Sequence, residues 1–251
     1  MPPKDNAVPV AMQPIPLSPY DRLRVEYHMW ENCHLGKMRK VDVVKEGASE
    51  WASPVFIVDQ NGKGLLGRMV NACGKVNDQL KSATYPSADP LEAWRVASGC
   101  GYHTLIDAIW GYTQFLLDPA TKRRLRVVTH EGVFEWLRMP FGPAPAPAIM
   151  QGYVKRQFGG LTNTSSSGKR RNFCTPCMDD IVISSPTYDD HLQDMQIVCD
   201  AANAVHFEFK FKKAQFCQSM FEFWGAICDG NGRRPNPKNC LLYTSDAADD
   251  S

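Results

Sequence analysis

The fold turns on Cys177-Met178-Asp179-Asp180-Ile181-Val182-Ile183-Ser184. Two adjacent carboxylates lie between a short apolar run and a β-branched run. If both flanks are strands, the aspartates occupy the tight turn of a hairpin. Two acids at one point in space suit Mg²⁺, a hard cation that takes oxygen ligands. Aspartate is also common in turns for backbone reasons alone, so the pair in isolation reads as a solvated turn. The surrounding sequence has to decide between the two.

The chain has 251 residues, enough for one large or two small domains with a sizeable core. At 43% hydrophobic and 22% charged its composition is that of a globular protein. A net charge of +1 means that any nucleic-acid surface must be a local basic patch. Nine cysteines, an odd number without a repeating frame, suit free thiols in a reducing compartment better than a disulfide scaffold. No apolar run reaches membrane-spanning length. Met1-Pro2-Pro3-Lys4 lacks the apolar core of a signal peptide. These features predict no membrane partner and no secretion.

Working outward, residues 1–17 are proline-rich and polar and are expected to be poorly ordered. Ser18-Pro19 reads as a cap followed by first-turn proline, opening a helix over 19–34 with Leu23, Tyr27, Trp30 and His34 at helical spacing. Phe56–Val58 and Arg68–Val70 read as strands around an Asn61-Gly62 turn. Asp89-Pro90-Leu91-Glu92 starts a second helix that stops near Gly99. Thr104–Asp107 is a short strand ending on an acid. Leu125–Thr129 and Val133–Leu137 form a hairpin across Glu131-Gly132. Pro147–Phe158 is a helix, and the polar run 161–171 a flexible surface loop. A helix through Leu192, Met195, Val198 or Cys199, Ala202 and Val205 follows the Asp-Asp hairpin. Short strands near Phe207–Phe211 and Phe221–Trp224 come last. Helices and strands alternate, several strand pairs look antiparallel, and the class is α+β.

Asp107 is the acid that could join Asp179 and Asp180. Two-metal nucleotidyl transfer needs carboxylates from separate strands held close together. On its own a strand-terminal aspartate is as readily a turn or cap residue.

Five blocks then carry a resemblance. Trp51-Ala52-Ser53-Pro54-Val55 is the first, and Leu105-Ile106-Asp107-Ala108-Ile109-Trp110-Gly111-Tyr112, with Tyr85-Pro86 before it, is the second. Glu135-Trp136-Leu137-Arg138-Met139-Pro140-Phe141-Gly142 with Ala146–Gln151 is the third, and Cys177-Met178-Asp179-Asp180 the fourth. The last combines Phe211-Lys212-Lys213-Ala214-Gln215-Phe216 with Phe223-Trp224-Gly225. In this order, over residues 38–239, they resemble the reverse transcriptases of gypsy-type LTR retrotransposons.

The resemblance implies a right-handed polymerase fold: fingers plus a ferredoxin-like palm, with the thumb largely missing. It implies N-terminal helices and fingers over 18–101 and a palm with part of the fingers over 102–239. Asp107, Asp179 and Asp180 would be the catalytic carboxylates and ligands of two Mg²⁺ ions, with Mn²⁺ a possible substitute. Arg68 would reach the triphosphate. Tyr112 would lie under the incoming sugar and exclude a 2′-hydroxyl, its alternative being a core tyrosine. Phe141 and Gly142 would shape the nucleotide pocket, and Gln151 would face template or pocket. Lys213 would protonate pyrophosphate, or be a surface charge. Phe223, Trp224 and Gly225 would hold the primer end, or the aromatics would be core.

The implied partners are an RNA or DNA template with its primer, a dNTP, and further Pol domains such as RNase H and integrase. The implied location is a cytoplasmic virus-like particle or the nucleus. Residues 240–251 resemble translated sequencing adapter, so a non-native tail on a polyprotein fragment is expected.

The chain departs from the family pattern at several points. Cys177 stands where the family has an aromatic residue, and Pro176 where a continuous apolar strand is expected. Asn71-Ala72-Cys73-Gly74 replaces an acid-aromatic-arginine run. Asp59-Gln60 replaces basic residues, leaving Lys63 nearest, and 161–171 reads as an inserted loop. These departures keep a second reading open. It is an inactive relic binding nucleic acid through Lys122-Arg123-Arg124 and Lys169-Arg170-Arg171. A zinc reading of Cys174 and Cys177 needs two more ligands at sensible spacing, and none is evident.

Overall fold

The computed structural model describes residues 1–59, 65–86, 89–178, 180–223 and 225–237. The Asn61-Gly62 turn, Lys63, Asp179, Trp224 and the expected adapter tail lie outside the described residues. In chain order the elements are α1 (Pro19–His34), β1 (Met38–Lys40), α2 (Val43–Glu46), β2 (Ser53–Val58), β3 (Arg68–Asn71), α3 (Gly74–Asn77), α4 (Pro90–Ala97) and β4 (Tyr102–Asp107). Then come α5 (Pro119–Arg124), β5 (Val127–Thr129), β6 (Gly132–Trp136), α6 (Ala146–Phe158), β7 (Thr162–Thr164), β8 (Arg170–Asn172), β9 (Cys174–Cys177) and β10 (Asp180–Ser185). Last are α7 (Tyr188–Ala204), β11 (Gln215–Gln218), β12 (Met220–Phe223), β13 (Ala226–Asp229) and β14 (Gly232–Pro235). No helix among the described residues is long and apolar enough to cross a membrane.

The chain divides into two compact units: Met1–Thr84 with Tyr112–Ile149, and Tyr85–Gly111 with Met150–Ser251. The first holds a sheet in the order β1-β6-β5-β2-β3, in which only β2 and β5 run parallel. Ser18 caps α1 as expected, its side chain accepting from the Asp21 amide. Val25 and Met29 of α1 cover the sheet, packing with Met38, Val55, Val127, Phe134 and Trp136. At the edge of that core Glu135, only 4% exposed, accepts from Arg39 and Arg126, and Glu46 accepts from both arginines as well.

The N-terminal segment differs from the expectation of poor order. The Lys4 amide donates to the Gln79 carbonyl at 2.8 Å, and the Met12 amide to the Ala52 carbonyl at 2.9 Å. The Met1 amino group donates to Thr121 Oγ1 at 2.8 Å. Backbone groups supply most of these bonds, and composition does not encode them. Helix α5, capped by Asp118, also went unread; it carries Lys122-Arg123-Arg124, and Arg124 donates to the Met1 carbonyl.

In the second unit the four-stranded sheet runs β11-β4-β10-β9, every neighbouring pair antiparallel. With α6 after β4 and α7 after β10, this is the βαββαβ order of a ferredoxin-like sheet. The faces alternate along each strand. Val182 and Cys177 face α4, packing on Ala93, Ala97, Phe221, Phe223 and Cys228. Ser185 and Thr104 face α7 and bond His191 at 2.9 and 2.7 Å.

Three readings are corrected here. Residues 161–171 are not a free loop: β7 and β8 pair, and Ser166 and Asn163 donate to Asp190 and Asp194 of α7 at 2.8 and 2.9 Å. Arg171 is ion-paired with Asp194. The polar composition that suggested a loop feeds partners some 23 to 31 residues further on. Phe207–Phe211 is not a strand. It makes one bridge, Phe209 to Ala108, and buries Phe207 and Phe209 against Phe158, ring centroids 5.4 and 5.8 Å apart. Pro176 is no defect, because β9 is an edge strand with one side of its ladder unpaired, where proline is tolerated.

Candidate active site

The Asp-Asp hairpin forms, with a shift of one residue from the expected turn. Cys177 of β9 is the register partner of Asp180 of β10, so two residues, 178 and 179, lie between the strand ends. Asp180 begins the strand instead of sitting in the turn. Met178 adopts φ +56°, the left-handed region that two-residue hairpin turns demand and that non-glycine residues seldom adopt. Its amide donates to Gln151 Oε1 of α6 at 2.7 Å.

Asp180 is also the register partner of Asp107 at the end of β4. Both side chains are half-buried. Directly opposed residues of an antiparallel pair hold their Cβ atoms about 4.5–5.5 Å apart, and like charges there are unfavourable. The Asp107 carbonyl is tied separately, accepting from the Lys210 amide at 2.8 Å. Two of the three expected carboxylates are therefore brought together, and Asp179 precedes one of them.

Behind the hairpin, burial pushes the Cys177 thiol up to about 12 and the Cys174 thiol up as well. Both sulfurs are buried in the core. Lys213 lies exposed in a 3-10 turn over Phe211–Lys213. Phe223 is 5% exposed and packs in the core, while its carbonyl accepts from Trp94 Nε1 at 3.0 Å. Gly225 follows with φ +79°, and its carbonyl accepts from the Asn236 amide.

The remaining expected residues belong to the first unit. Tyr112 lies in a 3-10 turn whose carbonyls, of Thr113 and Gln114, accept from Arg138 at 3.3 and 3.2 Å. Its ring meets Phe141 edge-on, centroids 4.8 Å apart at 78°. Phe141 is 56% exposed. Gly142 has φ +118°, and a Cβ there would stand 3.2 Å from Cys73 Sγ and 3.3 Å from the Asn71 carbonyl. Arg68 is exposed at the start of β3.

Two residues that sequence reasoning missed hold this loop. Asn71 Nδ2 donates to the Phe141 carbonyl and Asn77 Nδ2 to the Gly142 carbonyl, each at 3.0 Å. Asn77 Oδ1 also accepts from the Ala144 amide at 2.9 Å. Asn71 sits where the expected acid-aromatic-arginine run is absent; its partner lies 70 residues away, so no local pattern marks it.

The second unit therefore presents a ferredoxin-like sheet with opposed carboxylates on its two central strands. The sequence profile described as "Reverse transcriptase (RNA-dependent DNA polymerase)" matches residues 79–228. The chain belongs to that family. It is 26% identical over 239 residues to an uncharacterized protein of Caenorhabditis elegans, covering 94% of the chain and 17% of that protein. It is 27% identical over 233 residues to the retrovirus-related Pol polyprotein from transposon 297 of Drosophila melanogaster, covering 91% of the chain and 21% of the polyprotein. The chain thus spans about a fifth of the length of these relatives. Among solved structures, the foamy viral protease-reverse transcriptase in complex with RNA/DNA hybrid superposes with a TM-score of 0.75 at 17% identity, over 93% of this chain and 29% of that one.

Proposed function

We propose that the chain is the polymerase part of a gypsy-type retrotransposon reverse transcriptase, adding deoxynucleotides to a primer 3′-hydroxyl on an RNA or DNA template. The observation that carries this reading is the pairing of Asp107 with Asp180 across β4 and β10, with Asp179 next in sequence. Opposed carboxylates cost free energy unless a cation offsets them, and an all-oxygen donor set fits Mg²⁺ or Mn²⁺. Bound there, two divalent ions would lower the pKa of the primer hydroxyl and neutralise charge on the leaving pyrophosphate.

The chain's own groups take the remaining roles. Asp107 and Asp179 are read as the direct ligands, with Asp180 completing the set. Arg68 supplies fixed positive charge to the triphosphate. Tyr112, braced edge-on by Phe141, is read as the wall that a 2′-hydroxyl would strike. Lys213 is the candidate acid for pyrophosphate. Phe223 would serve the primer through the backbone it anchors, since its ring is in the core. The second unit is read as palm and the first as fingers.

The complexes formed by the foamy viral neighbours, with RNA/DNA hybrid or double-stranded DNA, support nucleic acid as the partner. RNase H and integrase domains are proposed to accompany the chain, as is a virus-like particle or nuclear setting. The test is primer extension by the full reading frame that encodes the chain. Asp179→Ala abolishes Mg²⁺-dependent dNTP incorporation; retained incorporation overturns the reading.

The second reading, an inactive relic that binds nucleic acid, draws on the buried Cys177 in place of an aromatic residue. Three observations weigh against it. Pro176 sits on an edge strand, Arg171 is taken up by Asp194, and Arg124 by the Met1 carbonyl. Binding without extension would favour it.

A further inference from the structure

Gln151 lies in α6 and is 6% exposed. Its Oε1 accepts from the Met178 amide at 2.7 Å. Strand pairing ends at Cys177 and Asp180, so the ladder itself offers Met178 no acceptor. The left-handed φ of +56° is unfavourable for a residue with a Cβ. The helix therefore supplies what the hairpin lacks.

The other half of the same amide argues that stability did not select it. Gln151 Nε2 is buried without a hydrogen-bond partner among the described residues. An orphaned buried donor is unfavourable, and methionine would fill the same volume without it. The useful atom is the oxygen. At the next position a Cβ on Gly152 would stand 3.1 Å from Tyr85 Cδ2 and Cε2, so glycine lets the ring lie against the helix.

We propose that Gln151 is a positioning residue for the carboxylate hairpin, fixing the backbone just ahead of Asp179-Asp180 so that the metal ligands keep one spacing. This rests on the polymerase reading above, and it gives Gln151 a different role from the template or pocket contact that the resemblance implies. Groups that orient metal ligands are worth about 10–100-fold in metal affinity or activity when removed.

The experiment is Gln151→Met in the full reading frame, with kcat, dNTP KM and the Mg²⁺ concentration for half-maximal rate measured beside wild type. The expected result is a half-maximal Mg²⁺ concentration raised by about tenfold or more, a lower kcat, and a dNTP KM within about twofold of wild type. A raised dNTP KM with unchanged Mg²⁺ dependence, or no change at all, overturns the proposal. Should the variant fail to fold, hydrogen exchange of the wild-type Met178 amide decides: protection supports the proposal and rapid exchange overturns it. Absence of extension by wild type would instead count against the polymerase reading, and the exchange measurement would still test the Gln151–Met178 bond.

Discussion

Asp107 and Asp180 are register partners across the two central strands of a four-stranded antiparallel sheet. They are separated by 73 positions in the chain (180 − 107) yet placed side by side by the βαββαβ order. Their side chains share one face with Val182, the face that α4 covers further along. The core thus holds the sheet rigid beneath the acids while leaving both half-buried.

Glu135 lies at the centre of an ion-pair cluster in the first unit. It is 4% exposed and accepts from both Arg39 and Arg126. Glu135→Ala removes one of the two carboxylates on the buried Arg126 and leaves Glu46 as the other, so it should cost about 1–3 kcal/mol, the usual result of losing hydrogen bonds to a buried charged group. Urea denaturation of wild type and variant checks this.

Acid should destabilise the second unit well before most carboxylates titrate. Burial pushes His191 down to about 4, with Asp194 opposing the shift and His103 and Arg171 adding to it. Above the unfolded value near 6.5 both states are neutral at this ring. As pH falls from there towards 4, the unfolded chain takes up a proton that the folded chain refuses, so stability is lost. The loss is at most about 3 kcal/mol by pH 4, and burial pushes His103 in the same direction. Thermal unfolding across pH 7 to 4 measures it, and His191→Gln should flatten the slope.

Gly142→Ala should damage nucleotide handling through the backbone. The residue is at φ +118°, and the added carbon would meet Cys73 Sγ and the Asn71 carbonyl. The strain is about 1–3 kcal/mol. Because Asn71 and Asn77 hold the same loop, the expected readout is a raised dNTP KM with an unchanged response to Mg²⁺ concentration.

Tyr112→Val should relax sugar discrimination. The Tyr112 ring stands edge-on to the exposed Phe141. Shortening it should increase the incorporation of ribonucleotides relative to deoxynucleotides, measured as a ratio of kcat/KM values. An unchanged ratio would assign Tyr112 to packing alone.

The legible parts of this chain were those written locally. Ser18-Pro19 and Asp89-Pro90 each combine a cap with a first-turn proline, and both helices begin where those residues place them. The carboxylate hairpin was legible because β-branched residues flank the acids on one side. Its turn was misplaced by one residue because Asp180 can serve a turn or a strand equally well by type. What stayed hidden was long-range. Asn71 and Asn77 act on carbonyls 70 and 65 residues away. The 161–171 run reads as a loop because Ser166 and Arg171 find their partners, Asp190 and Asp194, far ahead on α7. Pro176 looked disruptive until the strand order put β9 at an edge.

The central claim is that Asp107, Asp179 and Asp180 share a divalent-metal site. Anomalous diffraction from crystals grown with Mn²⁺, primer–template and dNTP tests it most directly. Manganese peaks are expected within bonding distance of the Asp107 and Asp179 carboxylates, and lost in Asp107→Asn. Manganese bound elsewhere, with those carboxylates making no metal contact, would contradict it.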